Sequence, residues 1–417
     1  MAKLKIVYPI CCGMDVHRDF VVACIATTNE LGVTDYKTKR FSTYSGGLRD
    51  LRDWLLAYNC LDVCMESTGK YWFPVHNTLE SACRVVVTHP KFVKAIKGKK
   101  PIKKDAQWIA DLFKHDLVRG SFIPPEDIRQ IRDLCRYWVK LTSYMTGEKN
   151  RAQNCLTVSN LKLDSVFSNV FGQSASAIIS YMLDHPGEHF DVTPFVHGRC
   201  KTPISTIQDA VDGNFNPYQA DKLRIIQNHM DNIDTLKDSL ANIIFKLAEP
   251  YQPQINLLLT VPGISDPMTA IRIIAEIGAD MSVFDSSKHC CSWAGLTPQN
   301  NESAGKKKTT RIGKAGQYIK PLLIQCACAA SRSHKYPEIK DKFQQLKKRR
   351  GSKKARVAIA RRLLTAMYHM LLNGEFYSPF IAPAKNAIPK ERVLTPDQAL
   401  AMLRKKGFII NDTVPAA

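Results

Sequence analysis

Acidic residues are the scarce ones in this chain: 38 Asp and Glu stand against 59 Lys and Arg in 417 residues, leaving a formal charge of +21. Such a field favours polyanions, because lysine and arginine that neutralise phosphates release counterions. Nucleic acid is therefore the expected partner. Long uncharged apolar runs are missing too. No stretch reaches the about 18 residues that a spanning helix requires, so no membrane partner is expected. The opening MAKLKIVYPICCGMDVHRDF turns apolar but breaks at Gly13 and Asp15 and has no small-residue cleavage site. A signal peptide is not expected, and the cytoplasm is the expected location. The 13 cysteines include no C-x-x-C spacing, which excludes a zinc ribbon or a redox pair of that kind. Most of them are expected to serve as small core hydrophobes in a reducing compartment. No internal repeat is visible.

What is present suits a folded protein of two or three domains, with 45% hydrophobic residues. KIVYPICC (5–12), FVVACIATT (20–28), YKTKRFST (36–43), LDVCME (61–66) and RVVVTH (84–89) have strand character. Leu48, Leu51, Leu55 and Leu56 have helical spacing, and a further helix is expected over 72–81. Alternation of this kind predicts an α/β layer fold. From residue 126 the texture changes. Ile128, Ile131, Leu134, Trp138 and Leu141 repeat near every 3.5 residues, and a second such segment spans 218–251. The pair predicts an antiparallel coiled coil or an oligomerisation arm. Beyond it, LLLTVPGISDPMTAIRIIAEIG (257–278) places a Pro-Gly turn between helical stretches, similar to a helix-hairpin-helix but with Ser265 where the second glycine would stand. Residues 301–362 hold 19 Lys and Arg against 3 Asp and Glu, most of the chain's excess charge. A last helix is expected near 396–405.

Asp15 and Glu66 fall at the ends of expected strands, where α/β sheets bind ligands. Asp105 opens the helical run DAQWIADLFKHDLV after a lysine-rich stretch. Three hard oxygen donors from separate elements suit Mg²⁺ or Mn²⁺ in phosphoryl chemistry. Each carboxylate alone also suits a turn, a solvated strand end or a helix N-cap. In NNESAGKKKTTRIGKAG, Ser303 precedes Ala304, Gly305 and three lysines, Lys306, Lys307 and Lys308. Small neighbours admit a phosphate backbone, and the lysines would stabilise its charge. Arg311, Lys314 and Lys320 are further candidates for backbone contacts, as is the run KKRRGSKKARVAIARR (347–362).

Four stretches make the resemblance specific: GMDVHRDFVV, MESTGKYW, KKDAQWIADLFKHDLVRGSFIPP and SWAGLTPQNNESAGKKKTTRIGKAGQYIKPLLIQCACAASR. In order and over nearly the whole chain, they resemble the insertion sequence 110 family of transposases, within it the IS-1111-type branch, a family that includes the Piv-type DNA invertases. The resemblance implies an RNase H-like (RuvC-like) DEDD domain over 1–125, and a coiled-coil dimerisation segment with an insertion over 126–252. It implies a mainly α-helical transposase domain with a serine nucleophile over 253–375, and a tail over 376–417. It further implies a noncoding bridge (seeker) RNA that selects donor and target double-stranded DNA, and a homo-oligomer, a tetramer built as a dimer of dimers. The setting it implies is a bacterial cytoplasm, with the protein on the nucleoid when DNA is bound.

Carried over by position, Asp15, Glu66 and Asp105 are metal ligands, Ser303 is the nucleophile, and Lys103, Lys104, Lys306, Lys307, Lys308, Arg311 and Lys314 contact nucleic acid. The family's third carboxylate would stand at Ile102, which cannot ligate a metal. Asp111 lies about 240° around the helix from Asp105 and cannot replace it; Asp19 is a conceivable stand-in. The alternative to a recombinase is therefore a weakened or repurposed relative that binds RNA and DNA without recombining them. A simple junction nuclease would leave Ser303 and the basic C-terminal region without a role.

Overall fold

The computed structural model describes residues 4–67, 69–90, 93, 105–298, 301–303, 306–309 and 311–379, with 301–303 and 306–309 as backbone. Ile102, Lys103, Lys104, the expected helix near 396–405 and almost all of the tail lie outside the described residues. The chain opens with β1 (Ile10–Val16), β2 (Phe20–Thr28), β3 (Thr34–Ser42), α1 (Ser45–Ala57), β4 (Asp62–Glu66), α2 (Trp72–Leu79), β5 (Arg84–Thr88) and α3 (Asp105–Lys114). The five strands form one sheet in the order β3-β2-β1-β4-β5. β1 to β3 pair antiparallel, while β4 and β5 run parallel to β1. This mixed α/β arrangement is consistent with the RNase H-like fold that the resemblance implies.

Alternation decides the two faces of the sheet. Cys12, Met14, Val16, Val63 and Met65 join Leu51, Leu55 and Leu79 on the side of α1 and α2. Cys11, Ala26 and Cys64 join Ile109, Ala110 and Phe113 of α3 on the other. The first strand departs from expectation. It starts at Ile10, not residue 5, and runs straight through Gly13. Gly13 does not break the strand because its missing side chain is the point where α3 docks. A Cβ there would overlap the Ala106 carbonyl oxygen and the Ala110 amide.

The two long segments form α4 (Glu126–Val158) and α8 (Pro217–Ala248). They pack antiparallel within one chain: the Cys155 thiol lies 2.9 Å from Gln219 Oε1, and Glu148 lies 3.1 Å from His229 Nδ1. The short α5 (Leu163–Val166), α6 (Gln173–Asp184) and α7 (Ile204–Val211) fold over one end of the pair around a core that includes Leu163, Ile178, Ile207 and Phe215. At the other end, Ile131, Leu141, Ile233 and Ile244 belong to the largest core. They share it with α9 (Gln252–Leu259), α10 (Pro267–Ile277), α11 (Ser287–Trp293), α12 (Ile319–Arg332), α13 (Pro337–Arg350) and α14 (Ser352–Asn373). Between α11 and α12 lies a ribbon of β6 (Asn301–Ser303) and β7 (Lys306–Thr309). No helix among the described residues is long and apolar enough to cross a membrane.

Arginines join the sheet, the helix pair and the C-terminal helices. Buried Arg129 of α4 donates to both carboxylate oxygens of Glu80, just past α2. Arg132 donates to the last carbonyls of α10, Ala275 and Glu276, at 2.6 and 2.9 Å. Burial draws its guanidinium down to about 10. Arg136 makes a two-pronged pair with buried Glu276 at 2.8 and 2.9 Å. Such forked geometry fixes orientation as well as charge.

Candidate active site

In the parallel pair β1 and β4, Cys12 is opposite Val63, Gly13 opposite Cys64 and Met14 opposite Met65. One step further, the same register sets Asp15 beside Glu66. Both point to the α3 side, by alternation from Cys11 and Cys64. Glu66 in turn is opposite Thr88 of β5, and Thr88 is bridged to Gly120. The two carboxylates thus sit side by side at strand C-terminal ends.

The third carboxylate arrives by packing. The amides of Val7 and Tyr8 donate to the Lys114 carbonyl, the Cys11 thiol lies 3.7 Å from the Ala110 carbonyl, and Ala106 rests on Gly13. α3 therefore runs antiparallel to β1, and Asp105, its first residue, stands at the end of the sheet that carries Asp15. The positive N-terminal end of the α3 dipole faces the same region, which eases the crowding of negative charge. All donors are hard oxygens, a set that fits Mg²⁺ or Mn²⁺. Among the described residues, no three such side chains stand close enough to form a ready metal cage.

Asp111 takes no part in this group. It pairs with buried Lys114 at 2.7 Å and accepts a hydrogen bond from Tyr36 farther down the helix. Asp19 is exposed and pairs with Arg18 at 2.9 Å. One polar neighbour escaped sequence reasoning: His17 Nε2 lies 3.0 Å from Asp15 Oδ2. Its only signal was its place two residues along in GMDVHRDF.

Ser303 is the last residue of β6, opposite Lys306, and Glu302 is opposite Lys307. Ala304 and Gly305, which join the two strands, lie outside the described residues. The base of the ribbon is closed by backbone contact. Pro298 bridges Ile312, and below it a Cβ on Gly295 would overlap the Ala315 carbonyl while one on Gly316 would overlap that of Ala294. Both glycines also have positive φ, +69° and +70°. Lys320 of α12 caps this turn, donating to the carbonyls of Gly313 and Ala315 at 2.8 and 2.9 Å. Its ammonium thus holds the loop, a use that the expected backbone contact did not include. Arg311 and Lys314 are exposed at the ribbon's foot, and Lys347, Lys348, Arg349, Arg350, Lys353 and Lys354 are exposed where α13 meets α14. Gly263 of the expected phosphate-binding hairpin is accounted for by packing, since a Cβ there would overlap the Cys326 carbonyl of α12.

The chain matches two family models. One, a transposase model of the DEDD IS110 type, covers residues 12–160; the other, described as the transposase IS116/IS110/IS902 family, covers 255–344. The first span contains Asp15, Glu66 and Asp105, and the second contains Ser303. The chain is also similar to the pilin gene-inverting proteins of Moraxella lacunata and Moraxella bovis. Each is 24% identical over 368 residues, a stretch covering 86% of this chain and 94% of the relative.

Proposed function

The chain belongs to the IS116/IS110/IS902 family of transposases, and from that premise we propose that it exchanges DNA strands through a covalent Ser303 intermediate beside Asp15, Glu66 and Asp105. The observation that carries the proposal is the β1–β4 register, which one step past Met14–Met65 sets Asp15 beside Glu66, at the sheet end toward which α3 brings Asp105. The Ser303 hydroxyl attacks the scissile phosphorus, the new Ser–O–P bond replaces the bond to the leaving deoxyribose oxygen, and the serine proton departs with it. A deoxyribose hydroxyl from another strand then attacks the phosphoserine and restores the diester. Bond energy is conserved, as recombination requires and hydrolysis does not. Asp15, Glu66 and Asp105 would hold a divalent cation, which when bound would supply charge stabilisation at the reacting phosphate. His17 holds Asp15 in place, and the lysines of β7 are the chain's own counter-charge for the backbone.

The partners follow from charge and shape. The basic C-terminal region suits a noncoding RNA from the element, which pairs with donor and target DNA, and Lys103 and Lys104 suit phosphates beside Asp105. Exposed Tyr137, Tyr144, Leu236 and Ile243 along the helix pair support association of copies, so that one protomer's carboxylates serve another's serine. This association extends to a tetramer.

The test is a denaturing gel of the protein with DNA from the element's end, its flanking RNA and Mg²⁺. A covalent protein–DNA band is expected, absent in Ser303→Ala and in Asp15→Asn. A band that survives Ser303→Ala would sink the serine mechanism. Ile102 motivates the second reading, a relative that binds without recombining: that reading wins if only Ile102→Asp forms the band.

A further inference from the structure

Beside the carboxylates, three side chains form one run. His17, bonded to Asp15, lies with its ring 4.4 Å from that of Phe20. The guanidinium of Arg40, from edge strand β3, lies over the Phe20 ring, 3.7 Å from its centroid. The sheet register explains the alignment: Arg40 is opposite Val22, and Val22 opposite Asp15. Phe20, Val22 and Arg40 thus share the face that carries Asp15 and Glu66. Arg40 and His17 are exposed and Phe20 is half-buried. Past Arg40 the surface opens into a cleft of about 600 Å³ lined by Lys39, Ser42, Gly46, Gly47 and Trp54. Asp50 and Asp53 stand on its wall, the latter matched by Arg52 at 2.9 Å.

We infer that the His17–Phe20–Arg40 run is a subsite for the DNA strand that continues from the scissile phosphate, with Arg40 taking a neighbouring phosphate, Phe20 holding its guanidinium in place and the exposed His17 ring supporting a base or sugar. The inference rests on the strand-exchange reading, since it is the carboxylates at the start of the run that single out DNA. A guanidinium stacked on an aromatic face keeps its N–H edge directed outward, in the geometry that a phosphate accepts. Ring faces take any base, so the subsite holds the strand without reading its sequence. In Phe20 and Arg40 the molecule has a placement device within one sheet row of the carboxylates, where a small misplacement of the phosphate is costly.

The experiment is equilibrium binding of a fluorescent DNA duplex from the element's end to the full chain, with Ca²⁺ replacing Mg²⁺, over a series of salt concentrations. Arg40→Gln is expected to weaken binding about tenfold and to reduce the log–log salt slope by about one, the signature of one lost phosphate contact. Phe20→Leu is expected to weaken binding about tenfold at unchanged slope. Arg40→Lys should keep the slope, and thermal melts should show each variant folded. An Arg40→Gln protein with the parent's affinity and slope overturns the subsite, even where Ser303 proves essential in the adduct gel. An effect on binding of the flanking RNA alone overturns it as well. If Arg40→Gln loses the slope while no variant forms an adduct, the subsite stands and the serine mechanism falls.

Discussion

Asp15 and Glu66 lie at the ends of strands that are paired on both sides within a five-stranded sheet, whereas Ser303 ends a three-residue strand whose one partner among the described residues is β7. The carboxylates inherit their spacing from the register of β1 on β4 and from a helix pressed onto Gly13. The serine inherits its position from the foot of a ribbon: the Pro298–Ile312 bridge, the Gly295 and Gly316 contacts and the Lys320 cap. One group is placed by sheet register and a docked helix, the other by a few contacts at the foot of a two-stranded ribbon. The chemistry proposed for them needs both, and perturbations should separate the two modes of support.

The largest expected effect falls on neither group but on the frame between them. Glu276 is 6% exposed and neutralises half-buried Arg136 beside half-buried Arg132. Glu276→Ala removes the charged partner of Arg136 and is expected to destabilise the protein by about 2–3 kcal/mol, with Glu276→Gln milder. Chemical denaturation measures both, and a loss below about 1 kcal/mol for the alanine variant would show the pair to be replaceable by water.

Gly13→Ala probes the carboxylate side alone. The added methyl has no room against Ala106 and Ala110, so a cost of about 1–3 kcal/mol is expected, as for overpacked cores. Hydrogen exchange should rise in β1 and α3 and stay unchanged in α12. Equal exchange in both regions would contradict the docking role assigned to this glycine.

Lys320→Met tests the serine side. DNA affinity should change little while the rate of adduct formation falls by about tenfold, the scale expected when a reacting group is misplaced. Lys314→Gln, in the exposed part of the same loop, should do the reverse. If both variants merely weaken binding, Lys320 is a phosphate contact after all.

A smaller effect concerns pH. Burial draws His76 below the ordinary histidine value, although Glu80 pulls the other way. The unfolded chain therefore takes up this proton first as pH falls through about 6.5, and stability contributed by neutral His76 is lost on acidification. His76→Gln should show a shallower drop in melting temperature between neutral and mildly acidic pH than the parent. Least disruptive of all, burial raises the Cys11 thiol to about 12 and Cys326 to about 11. Alkylation near pH 8 should label the half-buried Cys200 and Cys328 first.

Several strands and helices were legible because their patterns are local. Leu48, Leu51 and Leu55 marked α1 by their period, and β2 matched its apolar run at 20–28. The first strand was misplaced for a local reason as well: Gly13 in isolation reads as a break, and only α3 lying across it shows a contact. Asp15, Glu66 and Asp105 were legible as candidates by residue type and position. That they fall toward one end of the sheet was set by the β1–β4 register and the antiparallel run of α3. Lys320 looked like the other lysines near it, because no local pattern distinguishes an ammonium that caps two carbonyls from one facing solvent.

Composition and order along the chain determined much by themselves: a net charge of +21, a strand-rich start, two long amphipathic helices and the motifs that carry the family resemblance. These depend on residue type and short-range period, which a linear chain records directly. Tertiary structure alone decided that the β1–β4 register sets Glu66 beside Asp15, that Glu276 locks to Arg136, and that Arg40 lies over Phe20. Those contacts join residues tens to more than a hundred positions apart. Their energies arise only once strand register and core packing have brought the segments together.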